Sequence, residues 1–221
     1  MDKQRHRPVL VELWDMTQPA SMRTIAYMNE WHARYAEAGL RVIGVHTASR
    51  PEAEDEAAIE AAVKRLGINY PVVVDTDGEI WSFYGPQGYP SRYLFNGDFR
   101  LEDIQVGEGG YTETEELILG LLDLKAEPFG PVRPEDSDDA LIVVPSAERP
   151  GLGSGPYAAG SVWLSVTGSG TVVVNGTSFD VDGPAALEVV TNPVHTEGDL
   201  TVTPDAGVTV LATCFAPGIA A

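Results

Sequence analysis

Cysteine is nearly absent: the chain of 221 residues has one, Cys214. No intrachain disulfide, Cys-rich zinc site or two-thiol redox centre can therefore form within one chain. Basic residues are scarce as well, 14 Lys and Arg against 33 Asp and Glu, for a formal net charge of −19. Such a charge repels phosphate backbones and anionic head groups, so neither a nucleic acid nor a membrane surface is expected as a partner. Long apolar runs are missing too. No stretch reaches the roughly 20 residues of a membrane span, and the chain reads as cytoplasmic unless a signal peptide was removed from a longer precursor. What is present suits a folded protein: 43% hydrophobic and 21% charged residues, enough apolar material for a buried core.

The pattern changes near residue 127, where EPFGPVRPEDSDDALIVVPSAERPG places five prolines and a run of acids between two better-patterned regions. This divides the chain into a domain over 1–126, a linker or wrapped segment over 127–150 and a second domain over 151–221, with 140–144 as a further strand. The first region reads as mixed α/β. PVLVELW (8–14), RVIGVHT (41–47) and YPVVVD (70–75) have the composition of buried strands. Between the first two, Ser21 is placed to cap a helix with apolar positions Ile25, Met28, Trp31 and Tyr35, stopped by Gly39. Residues 53–66 and 79–85 read as helices, 91–107 as a hairpin about Asn96-Gly97, and 112–124 as a helix opened by a Thr112/Glu115 capping box. The second region shows only short strand-like runs with Asn175-Gly176 and Asp182-Gly183 as turns, the pattern of an antiparallel, jelly-roll-like β-sandwich.

Over roughly 7–124, VLVELW (9–14), GLRVIGVHT (39–47), AAVKRLGINYPVVVDTDGEIWSFYG (61–85), YPSRYLF (89–95) and VGEGGY (106–111) follow one another in an order and spacing that resembles the thioredoxin superfamily, and within it the TlpA-like and DipZ-like redoxins. The resemblance implies a thioredoxin-like fold followed by a β-sandwich, and a Cys-x-x-Cys four residues past the strand's Trp. Counted from Trp14, those positions hold Gln18-Pro19-Ala20-Ser21. Disulfide exchange needs a thiolate and a resolving thiol, and peroxide reduction also needs a reactive cysteine. Neither is expected here. The resemblance further implies that Pro90 is the cis-proline facing the former thiol pair, that Trp14, Gln18, Pro19, Ser21, Tyr89 and Pro90 line a groove able to take an extended peptide, and that Glu12 is a buried acid beneath Ser21.

Glu12, Ser21 and His46 are the candidates for residual chemistry. They suggest a Ser-His-acid relay or a carboxylate or imidazole base acting on a small molecule. No G-x-S-x-G elbow accompanies them. The competing reading makes Ser21 a helix cap, Glu12 an ancestral buried acid and His46 a strand-end residue. Met16, Met22, Met28 and His32 lack a spacing that gathers them on one helix face, so no metal and no cofactor is expected. In the second domain, loosely similar to the sandwich that follows the redoxin domain in DipZ-like proteins, Tyr157, Trp163 and Phe179 are the aromatics available for a glycan. The alternation around Trp163 favours a core position. Cys214 reads as a small buried hydrophobe. The leading expectation is a redox-silent protein that binds a peptide or protein partner, with a non-redox enzyme and a glycan-binding module as alternatives.

Overall fold

A computed structural model describes residues 6–221, which form two compact units. The first comprises residues up to 15 and 20–132, the second 133–221 together with the short segment 16–19.

In the first unit the element order is β1 (Val9–Trp14), α1 (Pro19–Tyr35), β2 (Arg41–His46), α2 (Glu56–Arg65), β3 (Val72–Val74), α3 (Glu79–Tyr84), β4 (Ser91–Phe95), β5 (Leu101–Val106) and α4 (Tyr111–Leu121). The five strands form one sheet in the order β3-β2-β1-β4-β5, with β1, β2 and β3 parallel and β4 and β5 antiparallel. β1 is buried along its whole length, which is why it reads as an apolar run, broken only by Glu12, instead of an alternation. Its alternate residues serve two cores. Leu10 packs with Tyr27, Met28 and Trp31 of α1 and Ile118 of α4, while Val9, Val11 and Leu13 pack with Val45 and Tyr93 on the other face.

Several local details differ from the sequence expectation. α1 begins at Pro19, a residue preorganised for a first helical position, so Ser21 lies inside the helix and is not its cap. α4 begins after Gly110 in a left-handed conformation, φ 61°, and Glu115 does not close a capping box on Thr112. Its carboxylate instead accepts from Trp31 Nε1 (2.8 Å), Tyr35 Oη (2.5 Å), Arg34 Nη1 (2.6 Å) and the Phe129 N–H (2.8 Å). Those bonds, with the Val132 N–H donating to Tyr27 Oη at 2.8 Å, make 127–132 part of the first unit. The hairpin is joined by residues 96–100, where Asn96 Oδ1 accepts from the N–H groups of Asp98 and Arg100 and the left-handed residue is Phe99, φ 61°.

The second unit is all β, as the sequence implied. β6 (Ile142–Val143), β7 (Arg149–Pro150), β8 (Gly155–Val174), β9 (Thr177–Asp182), β10 (Ala185–Leu200), β11 (Val202–Pro204), β12 (Val208–Ala216) and β13 (Gly218–Ile219) are connected antiparallel. β8 is one long strand where the sequence shows only short runs, bent where Gly168 and Gly170 take φ 98° and 142°. One half pairs with β10 and β12, the other with β9 and β11. Between them lies an aliphatic core including Val162, Leu164, Val166, Val172 and Val181. Within this unit the carbonyls of Met16 and Thr17 accept from the Ala186 N–H (2.8 Å) and the Ser165 hydroxyl (2.5 Å). The region 140–144 supplies β6, which pairs with β13 as a separate ribbon.

Candidate functional site

The expected site residues lie where β1 and β2 end and α1 begins. Glu12 is completely buried, paired across β2 with Gly44 and across β4 with Arg92. Its Oε1 lies 2.7 Å from Thr24 Oγ1. Burial raises its pKa to about 7, against the opposing influence of the Thr24 bond and the Arg92 charge, because a carboxylate loses its hydration in the interior. Arg92 is 1% exposed. It donates to the Gly109 carbonyl and lies over the Tyr111 and Trp31 rings, 4.9 and 5.6 Å from their centroids, so aromatic faces supply part of the stabilisation water would give. Burial lowers the Arg92 pKa, opposed first by the Glu12 charge. Gly44 completes the arrangement. A Cβ there would stand 2.9 Å from Tyr70 Cε2 and 3.1 Å from Trp14 Nε1, so only glycine lets Tyr70 and Trp14 close over the sheet beside Glu12. The Tyr70 hydroxyl is pushed up by burial and then by the Glu12 charge.

Ser21 is also completely buried, and its Oγ accepts from the Asp15 N–H at 3.2 Å. His46 ends β2, 1% exposed, with its ring edge-on to Trp14 at 4.9 Å between centroids. Burial lowers its pKa, countered by the Asp15 carboxylate. The hydrogen bonds of Ser21 and Glu12 go to Asp15 and Thr24, so the three candidates do not form a proton relay through His46. Each occupies its own setting: Glu12 in the polar island under α1, Ser21 against the β1 end, His46 in a cavity with Thr47 and Asp75.

Of the six residues expected to line a groove, Trp14, Pro19, Ser21 and Pro90 are buried while Gln18 and Tyr89 are half-buried. The Tyr89–Pro90 bond is cis, as the resemblance implied. The Tyr89 ring stacks on Trp81 at 4.3 Å and 27°, and its hydroxyl is pushed up by burial and by the Asp15 and Asp75 charges. Sequence reasoning did not single out Arg92, Thr24, Tyr70, Gly44 or Asp75. For Arg92 a signal existed, since a cation inside the apolar run SRYLF needs a special partner. Among the described residues no group of three or more His, Cys, Asp or Glu is placed to hold a metal ion. In the second unit Tyr157 and Trp163 are each 8% exposed and Phe179 packs on the core, which gives Trp163 the interior place its alternation suggested. Cys214 departs from expectation. It is half-buried, since in the strand alternation it points away from the side taken by buried Thr213 and Phe215.

Comparison with known proteins agrees with the fold. Residues 1–104 match the AhpC/TSA family. The protein DipZ of Mycobacterium bovis is 31% identical over 118 residues, 53% of this chain and 17% of that protein. Thiol-disulfide oxidoreductase ResA of Bacillus thuringiensis subsp. konkukian is 26% identical over 110 residues, 50% of this chain and 61% of its own length. The chain therefore matches less than two thirds of either relative. A thiol-disulfide isomerase from Corynebacterium glutamicum superposes with a TM-score of 0.52 at 23% identity, covering 56% of this chain and 86% of that one. The first unit thus has a thioredoxin-like fold. In sequence the chain is similar to DipZ and ResA, with Gln18 and Ser21 where the resemblance places a Cys-x-x-Cys.

Proposed function

We propose that this chain is a redox-silent thioredoxin-like protein that binds a peptide or protein partner through the former active-site surface of its first unit. One observation carries the reading. The chain's single cysteine is Cys214, outside the redoxin domain, and the position of the resolving thiol is held by Ser21, whose buried hydroxyl accepts from the Asp15 N–H. A Ser hydroxyl neither forms nor resolves a disulfide, and the Gln18 amide is no nucleophile. What the domain retains is a surface. The stacked pair Tyr89 and Trp81, both half-buried, offers aromatic area and a hydroxyl of the kind that anchors protein partners.

Selection of displayed random peptides on the purified full chain tests the binding half. The reading expects enriched sequences whose affinity falls at least ten-fold in Tyr89→Ala, with the far-UV spectrum unchanged. Equal binding by wild type and Tyr89→Ala contradicts it. The chemical half is tested by Gln18→Cys/Ser21→Cys, which is expected to gain dithiothreitol-dependent insulin reduction on a backbone otherwise left alone.

A further inference from the structure

Beyond the partner surface, the first unit holds a preformed cavity beside His46 that the proposed partner binding does not use. It opens outside the carboxyl ends of β2 and β3 and measures about 220 Å³. Crevices at that edge of a parallel sheet are where α/β folds collect ligands, because the strand ends are fixed while the following loops are free to vary. The volume lies below that of sites for drug-sized molecules, roughly 300–1,000 Å³. It suits a smaller guest.

The walls differ in chemistry. Ala53 and Ile59, 0% and 2% exposed, and Val74 give an apolar side. His46, Thr47 and Asp75, 1%, 6% and 7% exposed, give a polar end. That end is rigid: Asp75 accepts from Thr47 Oγ1 at 3.0 Å and from the N–H groups of Ile80 and Trp81 at 3.0 and 2.8 Å, tying the end of β2 to the start of α3. At the mouth stand the exposed carboxylates of Glu54 and Asp77. None of the lining residues is Lys or Arg, and burial keeps the His46 imidazole toward its neutral form. An anionic guest would face three acids with no compensating cation, at the unfavourable side of the Coulomb balance in a partly desolvated site. A protonated amine would meet the mouth carboxylates while its carbon body covers Ile59 and Val74.

We propose that this cavity binds a small organic cation, an ammonium group carried on a short apolar body, with Glu54 and Asp77 receiving the charge and Ile59 the hydrocarbon.

Amide NMR titration of the full chain tests it with three probes of one shape: 2-phenylethylamine, phenylacetate and 2-phenylethanol. The proposal expects saturable shifts for the amine, confined to the segments 46–48, 53–59 and 74–78, with at least ten-fold weaker binding of phenylacetate and of phenylethanol. Asp77→Asn, an exposed change that spares the fold, should weaken the amine several-fold. Ile59→Trp, which fills the apolar side, should abolish the shifts. Equal affinity for amine and carboxylate, or no saturable shift with the amine, overturns the proposal, as does an Asp77→Asn protein that binds the amine as well as wild type does.

Discussion

The first unit buries Glu12, Arg23, Arg92 and Glu115, each no more than 2% exposed, whereas the buried polar side chains between residues 133 and 221 are Ser161, Ser165 and Thr213. The contrast has a physical content. Burying an ion costs several kcal/mol unless partners replace its hydration, so the first unit adds a web of mutually dependent bonds to its two apolar cores, whereas the second rests mainly on buried area. Glu115 accepts four donors from α1 and the 127–132 segment. Leu164, by comparison, is completely buried in an aliphatic core. A fold built like the first unit should respond to pH and fail sharply when one partner is removed. A fold built like the second should respond mainly to lost volume.

The largest effect should come from the web itself. Glu115→Ala strands the Trp31 indole, the Tyr35 hydroxyl and the Phe129 N–H in the interior, at a cost of about 3–5 kcal/mol. Urea denaturation, with hydrogen exchange following 127–132, should show the segment released together with α1. A loss under about 1 kcal/mol would mean that the buried carboxylate is replaceable. In the other unit, Leu164→Ala should cost about 2–5 kcal/mol by transfer and cavity formation. That loss should be the same at pH 5 and pH 8, and a pH-dependent one would show that ionisable groups also carry the second unit's stability.

The pH response of the first unit can be signed. Glu12 rises from 4.5 to about 7 on folding, so the native state holds this proton more tightly than the unfolded chain. The penalty is absent below about pH 4.5, grows as pH rises, and is complete above about 7, reaching roughly 3 kcal/mol at 1.36 kcal/mol per unit. His46 acts in the opposite sense. Its pKa is lowered below 6.5, so its cost appears as pH falls through 6.5 and disappears above it. Glu12→Gln should therefore remove the alkaline loss and leave a first unit whose stability rises with pH through 6.5. Denaturation midpoints at pH 5, 6, 7 and 8 would check this, and an unchanged alkaline slope in Glu12→Gln would assign the response elsewhere. The smallest expected effect is Gly44→Ala. Its Cβ presses on Tyr70 and Trp14, for about 1–3 kcal/mol of overpacking, seen as a lower urea midpoint and a shifted Trp14 indole resonance.

The sequence made the layout of the first unit legible because its strands are apolar and its helices periodic, and those signals are local. Pro19 as the start of α1 was readable in principle. Ser21 was favoured because hydroxyl caps are common, but a buried bond to the Asp15 N–H overrode that preference. The Thr112/Glu115 spacing fits a capping box, yet Glu115 found stronger donors 80 or more residues away, which no local pattern announces. In the second unit Gly168 and Gly170 looked like a break between two strands. Positive φ there bends one strand without ending its pairing. At the site, the absence of cysteine from positions 18 and 21 was legible in the sequence, and the family resemblance pointed to the cis Tyr89–Pro90 bond. The Glu12–Arg92 pairing depends on the register of two strands 80 residues apart, and the His46 cavity is assembled from three separate stretches of chain.

Whether the first unit does any dithiol chemistry is measured by insulin reduction by the purified wild-type chain with dithiothreitol. A redox-silent protein gives a rate equal to that of dithiothreitol alone, unchanged in Cys214→Ser. Acceleration by wild type that Cys214→Ser removes would show a working thiol in the β-sandwich and rule out a redox-silent protein.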